Sequence, residues 1–147
     1  FCYILEQLRN RFPERPDEAA LFAALAELTA EIRQYGLFNF MLSNGDYLFA
    51  HASTLLHYIV RKAPFGEAHL LDDDVKVDFA AVTTPHDKVA VIATLPLTVN
   101  EQWSQLAVNE LVMFHEGDIV RRDAPAQAVY MSAEEGLAIA RAVGVSA

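Results

Sequence analysis

Apolar residues recur at helical spacing at the start of the chain and in strand-like runs through its middle. Phe1, Ile4, Leu5, Leu8 and Phe12 form one stripe, which predicts a helix over 1–11. No capping residue precedes Phe1, so the chain reads as beginning in mid-helix, as a fragment would. The segment Phe12-Pro13-Glu14-Arg15-Pro16 breaks that helix, because its two prolines cannot sit inside a continuing one. Pro16 suits a second helix start, with Asp17 and Glu18 near the positive end of the dipole. Leu21, Leu25, Leu28 and Ile32 recur at spacings of four, three and four, which buries one face of a helix running to about residue 35. Gly36 supplies its stop.

From there the period shortens. Residues 37–43 and 47–52 flank Asn44-Gly45, a strong two-residue hairpin signal. Residues 56–61 read as another strand, with Ala63-Pro64-Phe65-Gly66 as a turn. Short strands are expected at 67–71 and 75–79. The unbroken run Val89-Ala90-Val91-Ile92-Ala93 reads as a strand buried on both faces, and 89–95 as the central one. It ends near Pro96, which cannot donate a ladder hydrogen bond. Residues 111–114 and 119–122 form a last hairpin around Glu116-Gly117-Asp118. Ser132 caps a final helix, with Glu135 at the capping-box position; it runs to about residue 143 and stops at Gly144. Two helices followed by antiparallel strands indicate an α+β fold. No repeat, low-complexity segment or linker divides 1–147, so a single domain is expected.

Composition changes this picture little and narrows function more. The 147 residues suffice for one domain with a real core. A hydrophobic share of 53% is above that of an ordinary soluble chain, as is the mean hydropathy of +0.17. Yet no apolar run approaches the roughly 18 residues that span a bilayer. A net charge of -9 and a pI near 4.9 argue against nucleic acid and against an anionic membrane surface as partners. One cysteine forms no internal disulfide, and the cytoplasm is the expected compartment.

The best local site candidates follow the 89–95 strand, on a polar loop: Thr98, Asn100, Glu101 and Trp103. Glu101 suits orienting a substrate group, and Asn100 offers donor and acceptor together. The competing reading is favoured: Asn100 and Glu101 tie the loop to backbone while Trp103 closes the core. His51 and His57 would share a face of one continuous strand, with His69, His86 or Asp72-Asp73-Asp74 as further ligands. No compact ligand spacing supports that grouping, so no metal and no cofactor are expected. The three aspartates lack the EF-hand pattern and read as a solvated turn. Ser53, His57 and Asp87 make up a hydrolase trio on paper, without the G-x-S-x-G elbow that would give it context.

Several blocks carry a resemblance. They are FNFMLSNGDY from Phe38, HAST from His51, LHYI from Leu56, RKAPFG from Arg61, Thr83-Thr84-Pro85, and VAVIATLPLTVNEQW from Val89. In this order, over residues 1–120, they resemble the class II glutamine amidotransferases, N-terminal-nucleophile hydrolases that release ammonia from glutamine. The resemblance implies a four-layer αββα sandwich, mostly antiparallel. It also implies a nucleophilic Cys as first residue, with its α-amine as base and an Asn-Gly pair in the oxyanion hole. None of those motifs lies ahead of Phe1, so the chain resembles the C-terminal portion of such an enzyme, and no catalytic residue is expected in it. Cys2 lies second, behind Phe1, and without a free α-amine it is expected to pack as a small hydrophobe.

The expected parent therefore hydrolyses the side-chain amide of glutamine, or another γ-glutamyl amide. The resemblance assigns no catalytic role to Asn100, Glu101 or Trp103, which stand only as substrate-proximal candidates. The partners it implies are glutamine, or a related amide, and the N-terminal half. A different class of function is a non-catalytic interaction module, because the apolar surface of a half-fold favours association, with a homo-oligomer among the possible outcomes.

Overall fold

The computed structural model describes residues 1–71, 76–81, 83–124 and 131–142. The expectations for Asp72-Asp73-Asp74, for the first residue of the 75–79 strand and for the helix stop at Gly144 lie outside the described residues. The chain divides into two compact units: Phe1–Phe38 with Pro125–Ala147, and Asn39–Ala124. Its architecture is α+β.

The first unit is helical. Helix α1 spans Cys2–Arg11 and α2 spans Glu18–Ile32. Asp17 caps α2, its carboxylate accepting from the Ala20 N–H at 2.8 Å. Of the α2 stripe, Leu25 and Leu28 are wholly buried, and Ile4 is the buried residue of α1. The Tyr3 hydroxyl donates to Glu31 at 2.6 Å and Arg11 to Glu27 at 2.7 Å, joining the two helices. The hydrogen bond to Glu31 raises the Tyr3 pKa above that of a free phenol. Gly36 is not a left-handed helix cap: α2 ends in the right-handed conformation at Arg33, and Gly36 does not adopt positive φ. Helix α3, Ala133–Ala142, carries the expected capping box. The Glu135 N–H donates to Ser132 Oγ at 3.1 Å, and the Ser132 N–H to the Glu135 carboxylate at 2.7 Å. That second bond holds the Glu135 carboxyl below the ordinary range. Leu37 approaches α3 so closely that a Cβ on Gly136 would lie 2.3 Å from its Cδ1, so a side chain there would displace the Leu37 side chain.

The second unit is built of β-structure. Strands β1 (Phe40–Ser43), β2 (Tyr47–Ala52), β8 (Glu110–His115) and β9 (Asp118–Asp123) form an antiparallel sheet in the order β1-β2-β8-β9. Strands β3 (His57–Lys62), β6 (Lys88–Ala93) and β7 (Ser104–Gln105) form a second, ordered β6-β3-β7. Strands β4 (Glu67–His69) and β5 (Lys76–Asp78) make a separate ribbon. Alternate residues of the two larger sheets meet in one core: Ala50, Ala52, Val112 and Phe114 from one, with Tyr58, Ala90 and Ile92 from the other. The Tyr58 and Phe114 rings meet edge-on at 5.9 Å.

Two expectations need correction here. The run at 89–93 lies in β6, which is an outer strand of its sheet among the described residues, with Val89 44% exposed. The interior strands of the larger sheet are β2 and β8, and the doubly buried apolar run is that of β8, where Leu111, Val112, Met113 and Phe114 are all buried. Apolar content marks both runs alike, and only the hydrogen-bonding neighbours decide which one is interior. Cys2 is exposed rather than packed, because its position on α1 lies off the buried side marked by Ile4.

The hairpins are as expected in place and slightly shifted in register. Ser43 pairs with Leu48, so Gly45, at φ 98°, is a corner residue, while the Asn44 side chain accepts from the N–H groups of Asp46 and Tyr47. At the β8–β9 corner Glu116 and Gly117 both have positive φ, as a tight hairpin of matching twist requires. No helix among the described residues is long and apolar enough to cross a membrane.

Candidate functional site

The polar loop after β6 is held by two separate sets of hydrogen bonds. One extends the β4 ribbon. Leu71 donates its N–H to the Leu97 carbonyl at 2.9 Å, and Val99 donates to His69 at 3.0 Å. Asn100 then continues this ladder with its side chain. Its Oδ1 accepts from the His69 N–H at 2.8 Å and its Nδ2 donates to the Glu67 carbonyl at 2.8 Å.

The other set centres on Glu101. Arg61, on β3, donates through Nε at 2.7 Å and Nη2 at 2.5 Å to the two carboxylate oxygens of Glu101. The Thr98 hydroxyl donates to the same carboxylate at 2.6 Å, and the Trp103 indole N–H donates to Thr98 Oγ1 at 2.9 Å. The side chains of Arg61 and Glu101 are 15% and 18% exposed, so the pair is largely removed from water. The guanidinium, followed by the Thr98 hydroxyl, holds the Glu101 carboxyl below the ordinary carboxylate range, against the opposing effect of burial. The Phe79 ring lies 4.7 Å from the Arg61 guanidinium carbon, a cation–π contact.

Beside this pair lies a cavity of about 290 Å³, whose walls include Arg61, Lys62, Phe65, Phe79, Glu101 and Gln102. A neighbouring cavity of about 450 Å³ shares Pro64 and Phe65 with it and adds Thr83, Thr84 and Pro85. The structure thus brings Thr98, Glu101 and Trp103 together and places Asn100 on the β4 ribbon. Sequence reasoning missed Arg61 and Phe79. The signal was present in Arg61, a charge that directly follows the apolar Tyr58-Ile59-Val60 of β3 and is costly to bury unless paired.

The other constellations do not assemble. His51 and His57 belong to different strands in different sheets. His51 is buried, with Nδ1 at 3.1 Å from the Glu110 carbonyl and Nε2 at 3.3 Å from Ser53 Oγ. His57 Nδ1 lies 2.8 Å from the Thr94 carbonyl. The Asp87 carboxylate accepts from the Thr84 N–H at 2.7 Å, which lowers its pKa. Ser53, His57 and Asp87 are therefore each engaged elsewhere. No group of three or more His, Cys, Asp or Glu side chains suited to a metal occurs among the described residues.

A second polar network, buried at Glu110 and half-exposed at Arg122, ties the two larger sheets together. Glu110, only 4% exposed, accepts from the Ala107 N–H and from Arg122, each at 2.7 Å. Arg122 also donates to the Tyr58 hydroxyl on the opposite sheet.

The model of the family "Glutamine amidotransferases class-II" matches residues 1–136. The chain belongs to the class II glutamine amidotransferases. The "Putative glutamine amidotransferase" of Haemophilus influenzae is 47% identical over 118 residues, covering 80% of this chain and 40% of that protein. The "Putative glutamine amidotransferase YafJ" of Escherichia coli K12 is 50% identical over 121 residues, covering 82% and 48%. The crystal structure of a "predicted glutamine amidotransferase" from Pseudomonas aeruginosa PA01 is similar with a TM-score of 0.73 and 45% identity, covering 82% of this chain and 48% of that one. The chain therefore spans less than half the length of each. Two of the blocks that carry the resemblance, Arg61 to Gly66 and Thr83 to Pro85, contribute walls to the paired cavities.

Proposed function

We propose that this chain is the structural part of an enzyme acting on the side-chain amide of glutamine, and that the nucleophile lies outside these 147 residues. The observation that carries the reading is the class II family match over residues 1–136. The coverage of less than half of the H. influenzae and E. coli relatives supports the division of labour. In the reaction, an N-terminal Cys thiolate attacks the amide carbon and its α-amine carries the proton to the departing ammonia. Oxyanion-hole donors hold the tetrahedral intermediate, and water then frees glutamate from the thioester. Cys2 does not fill this role, since Phe1 blocks its α-nitrogen as an amide.

The residues of this chain act by holding shape. The Arg61–Glu101 pair and the Asn100 side chain fix the loop after β6, while Glu110 and Arg122 fix the two sheets face to face. Incubation of the isolated chain with glutamine is expected to release no ammonia above the rate without protein. Steady turnover, abolished by Cys2→Ala, would overturn the scaffolding role.

A further inference from the structure

We propose that the cavity beside Arg61 binds a small monocarboxylate with an apolar body, a site that goes beyond the glutamine reading and does not depend on it. A guanidinium carries five N–H donors. Glu101 engages one on Nε and one on Nη2. The two donors of Nη1 have no partner among the described residues and stay open to solvent, on a side chain that is 15% exposed. An arginine already clamped along one edge, and covered on a face by Phe79, is held in a fixed orientation. A ligand that meets the remaining edge pays little ordering entropy.

Charge and wall chemistry select the ligand. Among the described residues, Arg61 and Lys62 against Glu101 leave one net positive charge at the cavity, within a chain of net charge -9. One surplus charge suits a monoanion. A dianion such as phosphate would set its second charge against the Glu101 carboxylate without compensation. Ile59, Pro64, Phe65 and Phe79 supply an apolar wall, and the Gln102 amide a further polar group. The volume of about 290 Å³ admits a body of a few carbon atoms.

Trp103 makes the site observable, because it is the only tryptophan and is linked through Thr98 to Glu101. Titration of the chain with sodium butyrate is expected to change its tryptophan emission saturably. Butyramide, of the same size without the charge, should leave it unchanged, as should sodium chloride at matched ionic strength. Arg61→Gln should weaken butyrate binding by about tenfold or more, the loss typical of a charge-assisted hydrogen bond, while Lys62→Ala weakens it only slightly. If Arg61→Gln fails to fold, the unaltered protein still decides the matter through the arginine side-chain ¹⁵N–¹H resonance of Arg61, which should move with butyrate and not with butyramide. An equal response to acid and amide, a static resonance, or undiminished binding by folded Arg61→Gln would overturn the site. None of these readouts involves ammonia release, so failure here leaves the amidotransferase reading standing, and the reverse also holds.

Discussion

Arg61 and Glu101, forty positions apart in sequence, form a two-point hydrogen-bonded ion pair at 2.7 and 2.5 Å in a setting mostly closed to water. Removing one partner strands the other, so the cost exceeds the net worth of the pair. Glu101→Gln is expected to destabilise the chain by about 2 kcal/mol, read from the urea midpoint at neutral pH.

The same pair sets a pH dependence. Arg61, then Thr98, depresses the folded-state pKa of Glu101 below the ordinary value of 4.5. Its stabilising contribution is therefore complete above that ordinary value and is lost as pH falls through the lower folded-state pKa. Urea midpoints compared between pH 7 and pH 3 should fall less for Glu101→Gln than for the unaltered chain. Parallel acid limbs in the two proteins would show that Glu101 is not depressed.

Glu110 is more deeply buried, and Arg122 is its charged partner. Arg122→Ala leaves a carboxylate with only the Ala107 N–H, at an expected cost of about 2–3 kcal/mol. Tyr58→Phe removes the neutral end of the network and should cost about 1 kcal/mol. The two effects should couple in a double-mutant cycle, since both side chains share one hydrogen bond across the sheets.

Asn100 replaces backbone pairing with side-chain pairing. Asn100→Ala should cost about 1–2 kcal/mol. Its local signature is the informative one: the His69 amide should lose protection against hydrogen exchange, while amides of β8 keep theirs. Uniform loss across both strands would mean that Asn100 supports the unit as a whole.

Asp17 is the cap of α2, bonded to the Ala20 N–H. Asp17→Ala should lower stability by about 1 kcal/mol and Asp17→Asn by much less, because asparagine caps nearly as well. Thermal unfolding followed by circular dichroism checks both.

Much of the fold was legible because local chemistry decided it. The stripe Leu21, Leu25, Leu28 and Ile32, the Pro13 and Pro16 break and the Ser132–Glu135 capping box act within a few residues of one another, and the elements formed where those signals stand. The hairpins around Gly45 and Gly117 were marked by residues that tolerate positive φ. The α+β order follows from the same periodicities.

What the sequence by itself determined was therefore the kind and order of the main elements, though not the short strand β7, and, through its block resemblances, the family. The tertiary structure alone decided the partners. Strand β6 is as apolar as an interior strand yet stands at the outside of its sheet, because neighbours and not composition assign that place. Cys2 faces outward although its helix has a buried side. Glu101 was readable as a polar loop residue, but its meeting with Arg61 and Phe79 was not, since the three come from separate segments joined only by folding. Hydrophobic period and turn propensity are short-range quantities, whereas a charge pair across forty residues exists only once the loop after β6 has folded back onto β3.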